Sequence, residues 1–133
     1  MPVIEPGSWL NPENRPDWAE IATIGRFAIA VDGGRFDRHF HDDHEVWFLW
    51  EGKAKILIEG EERYVQAGDI VLTRAGDTHD FVEVYETVRG FFTETGHPAG
   101  GRTGHLHKTD EDAAGHVVPA APLPADFPTR PAG

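Results

Sequence analysis

Cysteine is absent from the sequence, so disulfide bonds, thiolate metal ligands and a nucleophilic thiol are all excluded. No apolar run approaches the roughly 20 residues that a membrane-spanning helix needs, and the first residues lack the basic and apolar regions of a signal peptide. Positive charge is scarce, with 12 Lys and Arg against 23 Asp and Glu and a formal net charge of −11, which repels nucleic acid and anionic lipid. We therefore expect a cytoplasmic protein with no nucleic-acid or membrane partner.

The composition is sufficient for one folded domain. The 133 residues are 39% hydrophobic and include eight Phe, four Trp and two Tyr, enough to form a single core. Proline recurs through residues 1–19, and residues 96–133 are rich in Gly, Pro and Ala with little apolar periodicity. We predict an N-terminal arm over 1–19, a domain over 20–95 and a partly irregular C-terminal arm over 96–133.

The middle of the chain has the pattern of short β-strands. Ala54, Ile56 and Ile58 alternate with charged residues, as in a strand with one buried face, and a Gly-containing turn follows. Many short strands at regular spacing are typical of a sandwich or a barrel. The predicted strands are Ile21–Val31, Glu45–Trp50, Lys53–Glu59, Arg63–Val65, Ile70–Thr73 and Phe81–Thr95.

One group of polar residues has the pattern of a metal site. His39 and His41 are two residues apart, so both side chains leave the same face of a strand. Glu45 opens an apolar run, where a core-facing carboxylate needs a cation or a hydrogen-bond partner. His79 begins another apolar run and is the best candidate for a third histidine ligand. Imidazole and carboxylate donors suit Fe, Mn, Ni, Cu, Co or Zn.

These residues fall in two segments that resemble the cupin motifs. In the first segment, the family spacing of glycines around His-x-His and Glu is met from Gly33 to Gly52. The second motif is similar to the segment that contains Gly68, Gly76 and His79, although Arg74 stands where the family usually has Pro and Glu83 where it usually has Asn. The resemblance implies an all-β, single-domain jelly-roll barrel with two extended arms. It also implies that one divalent transition metal ion is bound by His39, His41, Glu45 and His79 and keeps positions open for water, substrate or dioxygen.

Strand parity suggests which other side chains lie near such an ion. Trp47 and Leu49 should share a face with Glu45, and Phe81 and Glu83 with His79. We predict a substrate pocket lined by Trp47, Leu49 and Phe81, with ordinary core packing as the alternative. An inward Glu83 would be a partner of His79 or a general base.

Other histidines carry weaker signals. His44 should point away from Glu45 and lie at the surface or the rim. A second His-x-His, formed by His105 and His107, has no carboxylate at the expected distance, so a hydrogen-bonding or interface role is predicted.

Three functions fit this site. The first is a dioxygenase in which an Fe(II)-type ion binds dioxygen and a chelating small molecule. The second is an isomerase, lyase or cyclase in which the ion is a Lewis acid, with Glu83, Tyr64, Tyr85 or water as the proton carrier. The third is a non-catalytic ligand-binding cupin. We also predict a homodimer, because an N-terminal arm with Trp9 and Trp18 can cover exposed strand edges of a second subunit.

Overall fold

The computed structural model describes residues 3–130, so the ends of both predicted arms, residues 1–2 and 131–133, lie outside the described residues. Over the described part, the chain is almost entirely β. Its elements, in chain order, are β1 (Thr23–Ile29), β2 (Arg35–Phe36), β3 (Glu45–Ile58), β4 (Glu61–Gln66), β5 (Ile70–Thr73), β6 (His79–Glu94), α1 (Asp110–Ala114) and β7 (His116–Val117). The all-β prediction is confirmed.

The main sheet is built around β3 and β6. Its strands are antiparallel in the order β1-β6-β3-β4, and β5 pairs with the first part of β3. A smaller sheet pairs β2 with β7. Two predicted strands, Glu45–Trp50 and Lys53–Glu59, are in fact one long strand, because Gly52 has a φ of +94° and bends β3 without ending it.

The inner face of the sheet forms the core. Its side chains interdigitate in one cluster, in which Ala54, Phe81 and Val84 are fully buried. The aromatic rings of Trp47 and Phe81 stack with centroids 5.2 Å apart and an interplanar angle of 14°. This packing lies beside His79, with the ring centroids of Trp47 and His79 5.4 Å apart, so it makes a close-packed floor beneath that histidine.

Both arms pack against the sheet over their described residues. Leu10 of the N-terminal arm is buried and forms a bridge with Ile24 of β1. In the C-terminal arm, Val118 is buried, and its backbone N–H donates to the carbonyl of Gly34. The arm also contains α1, capped by Thr109, which the sequence pattern did not predict. Among residues 3–130, no helix has the length and apolarity needed to cross a membrane.

Candidate metal centre

The two motif segments meet through a backbone bridge. His39 and His79 are antiparallel partners: the N–H of His79 donates to the carbonyl of His39 at 2.9 Å, and the reverse bond is 3.2 Å. Glu45 is the first residue of β3 and pairs with Thr73 of β5, which leads into the turn before His79. Residues 40 positions apart in sequence are thereby placed side by side.

All four predicted ligands are buried and converge. The donor atoms of His41, Glu45 and His79 lie within 4.8 Å of one another. Nε2 of His39 is 3.1 Å from Nε2 of His79, which is 3.5 Å from Oε1 of Glu45. These are separations at which donors can share one ion, since metal–ligand bonds of about 2.0–2.2 Å place neighbouring donors roughly 3 Å apart.

The tautomers of two histidines are set by backbone carbonyls. Nδ1–H of His39 donates to the carbonyl of Asp37 at 2.5 Å, and Nδ1–H of His79 donates to that of Asp77 at 2.9 Å. Each Nε2 is then left without a proton and faces the centre of the cluster, because a neutral imidazole carries a proton on only one nitrogen. Metal-binding histidines usually donate a hydrogen bond in this way from the outer nitrogen, which is the ring nitrogen that does not bind the ion.

The surroundings of His41 suit a cation bound at the cluster. Neither of its buried ring nitrogens has a hydrogen-bond partner among residues 3–130. Nε2 nevertheless lies 3.2 Å from Oε2 of Glu45, and Nδ1 lies 3.3 Å from Oε1 of Glu94. A buried polar atom without a partner is costly, and an ion among the four donors would complete the coordination of Nε2. The residues present therefore fit a divalent transition metal.

The electrostatics of the cluster also suit a cation. Burial, together with the neighbouring His79 ring, lowers the pKa of His39 to about 3, so this ring is neutral and available as a ligand. Burial would raise the pKa of Glu45, but the adjacent His41 and His79 imidazoles outweigh it and hold that pKa well below its usual range. The indole N–H of Trp47 donates to Oε1 of Glu45 at 2.5 Å and orients the carboxylate.

Glu94 is a site residue that sequence reasoning missed. It ends β6, is directly opposite Glu45 in the sheet and faces His41. Burial, with the negative charges of Asp43 and Glu45, raises the pKa of Glu94 to about 7 despite the opposing effect of His41. Asp43 is also buried. No motif spacing marks Glu94; only strand pairing brings it to the cluster.

A cavity of about 230 Å³ opens beside the cluster. It is largely aromatic, and its lining includes two of the predicted ligands, His39 and Glu45. The lining residues are Phe27, Phe36, His39, Glu45, Trp47, Phe92, Glu94 and His105. Of the three predicted pocket residues, Trp47 lies in this wall, whereas Leu49 and Phe81 pack in the core behind it.

The predicted proton carriers lie elsewhere on the sheet. Glu83 accepts a hydrogen bond from Tyr85 at 2.6 Å and is 3.7 Å from the Lys55 ammonium. Tyr64 donates to Asp126 of the C-terminal arm. Among the described residues, none of the three lines the cavity.

Glu83 points away from the cavity because of an irregularity in β6, which the alternation of residues in the sequence cannot show. Ile56 pairs with Phe81 but Lys55 pairs with Glu83, so an extra residue of β6 is inserted between these pairs. A bulge of this kind reverses which alternate residues face inward. Glu83 is therefore turned away from the side that carries His79 and Phe81, and Glu94, farther along, is turned inward.

The departure from the second cupin motif at Arg74 does not disrupt the turn before His79. The N–H of Arg74 is bonded to the Asp77 carboxylate, and the N–H of Asp77 to the Arg74 carbonyl. The N–H of Gly76 donates to the carbonyl of His41, which ties this turn to the first motif. His44 is exposed, as expected of a rim residue, and its ring accepts a hydrogen bond from the N–H of Ala75.

The second His-x-His also lies near the cluster. The Asp37 carboxylate accepts hydrogen bonds from Nδ1 of His105 at 2.8 Å and from Nε2 of His107 at 2.6 Å. The ring of His105 stacks on His39 with centroids 3.6 Å apart. A hydrogen-bonding or interface role was predicted for these residues, but the position of His105 in the lining of the cavity was not.

The fold and the cluster of histidine and carboxylate side chains together define a cupin. More specifically, the AraC-like ligand binding domain family matches residues 24–98, more than half of the chain, so the protein belongs to that cupin-type family. The matched region contains the four predicted ligands and also Glu94.

Known proteins with similar sequences share only a part of their length with this chain. The uncharacterized protein y4oW of Sinorhizobium fredii is 37% identical over 71 residues, which cover 53% of this chain and 33% of that protein. Acireductone dioxygenase 1 of Nocardia farcinica is 39% identical over 75 residues, covering 53% of this chain and 35% of that protein. The chain thus spans about a third of the length of the curated relatives it matches.

Solved structures confirm the cupin fold. A cupin protein from Bacteroides fragilis superposes with a TM-score of 0.55 at 18% identity, covering 84% of this chain and 92% of that one. The DMSP lyase DddQ from Ruegeria pomeroyi has a TM-score of 0.57 at 21% identity, covering 68% of this chain and 44% of that one. Identities this low show a common fold and nothing more specific.

Proposed function

We propose that this protein is a metal-dependent cupin enzyme that acts on a small molecule through a three-histidine, one-glutamate site. The observation that carries the proposal is the convergence of four buried donors around His41, whose ring nitrogens lack partners among the described residues. A bound Fe(II)-type ion would supply electrons to dioxygen and would also polarise an oxygen atom of the substrate.

The protein side chains have separate tasks in this proposal. The Nε2 atoms of the histidines and the Glu45 carboxylate bind the ion, and the carbonyls of Asp37 and Asp77 keep two of the rings in the ligating tautomer. The Glu94 carboxylate lies 3.3 Å from Nδ1 of His41 and would favour a proton on that nitrogen, which leaves Nε2 free to bind the ion. The Phe27, Phe36 and Phe92 side chains exclude water from the cavity.

The size and lining of the cavity support a small, planar substrate. A volume of about 230 Å³ is below the 300–1,000 Å³ typical of drug-sized ligands, so the substrate is small. Aromatic walls beside a metal favour a planar molecule with two adjacent oxygens, such as an enediol or a diketone. The match to an acireductone dioxygenase of Nocardia farcinica supports dioxygen chemistry, on a third of that relative's length.

The second candidate uses the same ion as a Lewis acid, in an isomerase, lyase or cyclase. This reaction needs a proton carrier close to the substrate. Glu94 lines the cavity, so it is a better candidate for this task than Glu83, Tyr85 or Tyr64. A purely ligand-binding role, favoured by the family to which the chain belongs, is the third candidate.

The first test is the metal content of the purified protein and of its His79→Ala variant. His79 is fully buried and its Nε2 faces both His39 and Glu45, so we expect near-stoichiometric metal in the wild type and a loss of at least tenfold in affinity in the variant. His44→Ala is the matched control, since it removes an exposed histidine outside the cluster. Equal metal in the wild type and His79→Ala would contradict the ligand assignment.

The dependence of the reaction on dioxygen distinguishes the three candidate functions. An iron-loaded sample is mixed with a panel of small enediols and diketones in a closed oxygen-electrode cell. Consumption of dioxygen in step with loss of substrate identifies a dioxygenase. Conversion at the same rate without dioxygen identifies Lewis-acid chemistry, and tight binding without conversion supports the ligand-binding role.

We also propose that the protein is a cytoplasmic homodimer. Five apolar side chains are exposed on the outer side of the main sheet: Phe48, Trp50, Ile70, Leu72 and Phe91. Phe48 is directly opposite both Ile70 and Phe91 in the strand pairing, so the exposed residues form one continuous surface, here called the outer apolar face. A surface of this kind on a small protein supports association with a second copy.

A further inference from the structure

We propose that Asp37, His105 and His107 form a second transition-metal site beside the four-ligand cluster formed by His39, His41, Glu45 and His79. Two imidazoles and one carboxylate, the donor types that also form the four-ligand cluster, meet here from two segments that are about 70 residues apart. Their ligand atoms lie within 4.8 Å of one another.

The backbone holds the two segments together. Phe40 and Leu106 are antiparallel bridge partners, with N–H to carbonyl distances of 2.9 and 3.0 Å in the two directions. Because Leu106 lies between them in an extended stretch, His105 and His107 leave the same side of the chain. That side is the one on which Asp37 lies.

Both histidines aim at the same carboxylate oxygen. Oδ2 of Asp37 is 2.8 Å from Nδ1 of His105 and 2.6 Å from Nε2 of His107. In the metal-free protein, protons on these two nitrogens form the hydrogen bonds. An ion would replace the protons after a small outward movement, since bonds of about 2.0–2.2 Å put neighbouring ligand atoms roughly 3 Å apart.

His105 has a ligand atom within 4.8 Å of those of His39 and His41, but its ring is not oriented to share an ion with His39. Its ring is parallel to that of His39, with an interplanar angle of 4° and centroids 3.6 Å apart. A metal lies in the plane of the imidazole that binds it, so two rings stacked in this way cannot direct their lone pairs at the same ion. The hydrogen bond of its Nδ1 with Asp37 gives His105 a separate direction.

The site is open to solvent on one side. The side chains of His105, Asp37 and His107 are 49%, 26% and 21% exposed, so an ion can enter and water can complete its coordination. Nitrogen and carboxylate donors favour Zn²⁺, Ni²⁺, Co²⁺ or Cu²⁺ over Mg²⁺ and Ca²⁺. The net charge of −11 favours binding of any cation.

An ion at this position would link the C-terminal arm to the first motif segment. His105 lines the mouth of the cavity, so the second metal would hold this part of the arm over the entrance. The exposed residues Arg102 and Lys108 flank the segment and are cleavage sites for trypsin. Their rate of cleavage is therefore a measure of how firmly the segment is held.

The test is a titration of the chelator-stripped full chain with Zn²⁺, monitored by calorimetry. We expect two equivalents in the wild type and one in His107→Gln, in which the amide keeps a hydrogen-bond donor to Asp37 but is a poor ligand. His79→Ala should lose the other equivalent and keep the one assigned here. His44→Ala, the control for surface histidines, should keep both.

Limited proteolysis gives a second readout. Zn²⁺ should slow tryptic cleavage at Arg102 and Lys108 in the wild type and in His79→Ala, but not in His107→Gln or His107→Ala. A single equivalent in the wild type that His79→Ala abolishes and His107→Gln keeps, or a second equivalent that survives both His107 variants, would overturn the proposal. If the wild type binds one equivalent that His107→Gln abolishes and His79→Ala keeps, the second site stands and the proposed function fails.

Discussion

At the scale of single residues, the outer nitrogens of the three histidines explain how the cluster is oriented. His39 and His79 direct their Nδ1–H groups to backbone carbonyls, but His41 has the Glu94 carboxylate in the corresponding place. A carboxylate partner makes an imidazole a stronger ligand than a carbonyl partner does. Among the three candidate histidine ligands, His41 is therefore the one whose affinity for a metal depends on another side chain.

This dependence gives a prediction for Glu94. Replacing it by Ala should lower the affinity for Zn²⁺ or Fe²⁺ at the four-ligand cluster by about 10–100-fold, because His41 loses the carboxylate that lies 3.3 Å from its Nδ1. Glu94→Gln keeps an acceptor and should recover part of the loss. Isothermal titration of the metal into stripped protein measures both.

Glu86→Ala is the matched control, since Glu86 is on the same strand but is exposed and paired with Lys53. An affinity in Glu94→Ala equal to that in Glu86→Ala would show that Glu94 does not support His41.

At the scale of elements, the bend of β3 depends on one glycine. A side chain at Gly52 would overlap the backbone carbonyl of Thr87 on β6, and its φ of +94° is unfavourable for any residue with a Cβ. Gly52→Ala should therefore lower the free energy of unfolding by roughly 3 kcal/mol. Urea denaturation measures the change.

Gly60, in the turn between β3 and β4, is the matched control. It has a φ of +79° but nothing within 4 Å of the added Cβ, so Gly60→Ala should cost only about 1 kcal/mol from backbone strain. Equal costs at the two positions would show that the close approach of β3 and β6 at Gly52 has no part in the effect.

The attachment of the C-terminal arm should depend on pH. Partial burial lowers the pKa of His116 on β7, but its hydrogen bond with the Asp80 carboxylate, at 2.7 Å, outweighs burial and the repulsion of Arg38, so the pKa is raised above 6.5. A raised pKa stabilises the folded state fully below pH 6.5, and this contribution is lost as the pH rises through the raised value.

We therefore expect His116→Gln to be less stable than the wild type at pH 5.5 and closer to it at pH 8.5, because the ring is by then neutral in both the folded and the unfolded states. Thermal unfolding of both proteins across this range gives the comparison. A difference that grows with pH would contradict the assigned pairing.

At the scale of the whole molecule, the outer apolar face is a surface that the packing of a single chain leaves uncovered. Ile70 and Leu72 are 58% and 70% exposed on alternate positions of β5, so they lie on the same face of the strand. Replacing both by Lys should convert the predicted dimer into a monomer, because two copies cannot bury these charges against each other. Sedimentation velocity at micromolar concentration reports the oligomeric state.

Val117→Lys is the control for an added surface charge, since Val117 is about half exposed on β7, outside the outer apolar face. We expect it to remain dimeric. A monomeric wild type, or a dimer that survives the double substitution, would show that this face does not join two copies.

The strand content and the four candidate ligands could be predicted from local patterns. Alternation in Ala54, Ile56 and Ile58 shows a half-buried strand, and it depends only on the period of the β conformation. His39, His41 and Glu45 lie close together in sequence, and two of them share a strand face. These features need no knowledge of which strands are neighbours.

Tertiary structure alone decided the remainder of the site. Glu83 and Glu94 are on the same strand, and the pairing irregularities of β6 with β3 decide which of them faces the histidines. A bulge depends on how two distant strands fit together, so it leaves no mark on the local period. The approach of His105 and His107 to Asp37 depends in the same way on the bridge between Phe40 and Leu106.

The sequence by itself thus determined the class of fold and indicated four candidate donors, because the fold follows from local periodicity, three of the donors lie within seven consecutive positions and His79 stands in the second motif segment. The tertiary structure decided that Glu94, not Glu83, lies beside them and that the C-terminal arm brings His105 to the cavity and His107 to Asp37. Such long-range neighbours are set by strand register and by docking of the arm, which depend on the packing of the whole chain.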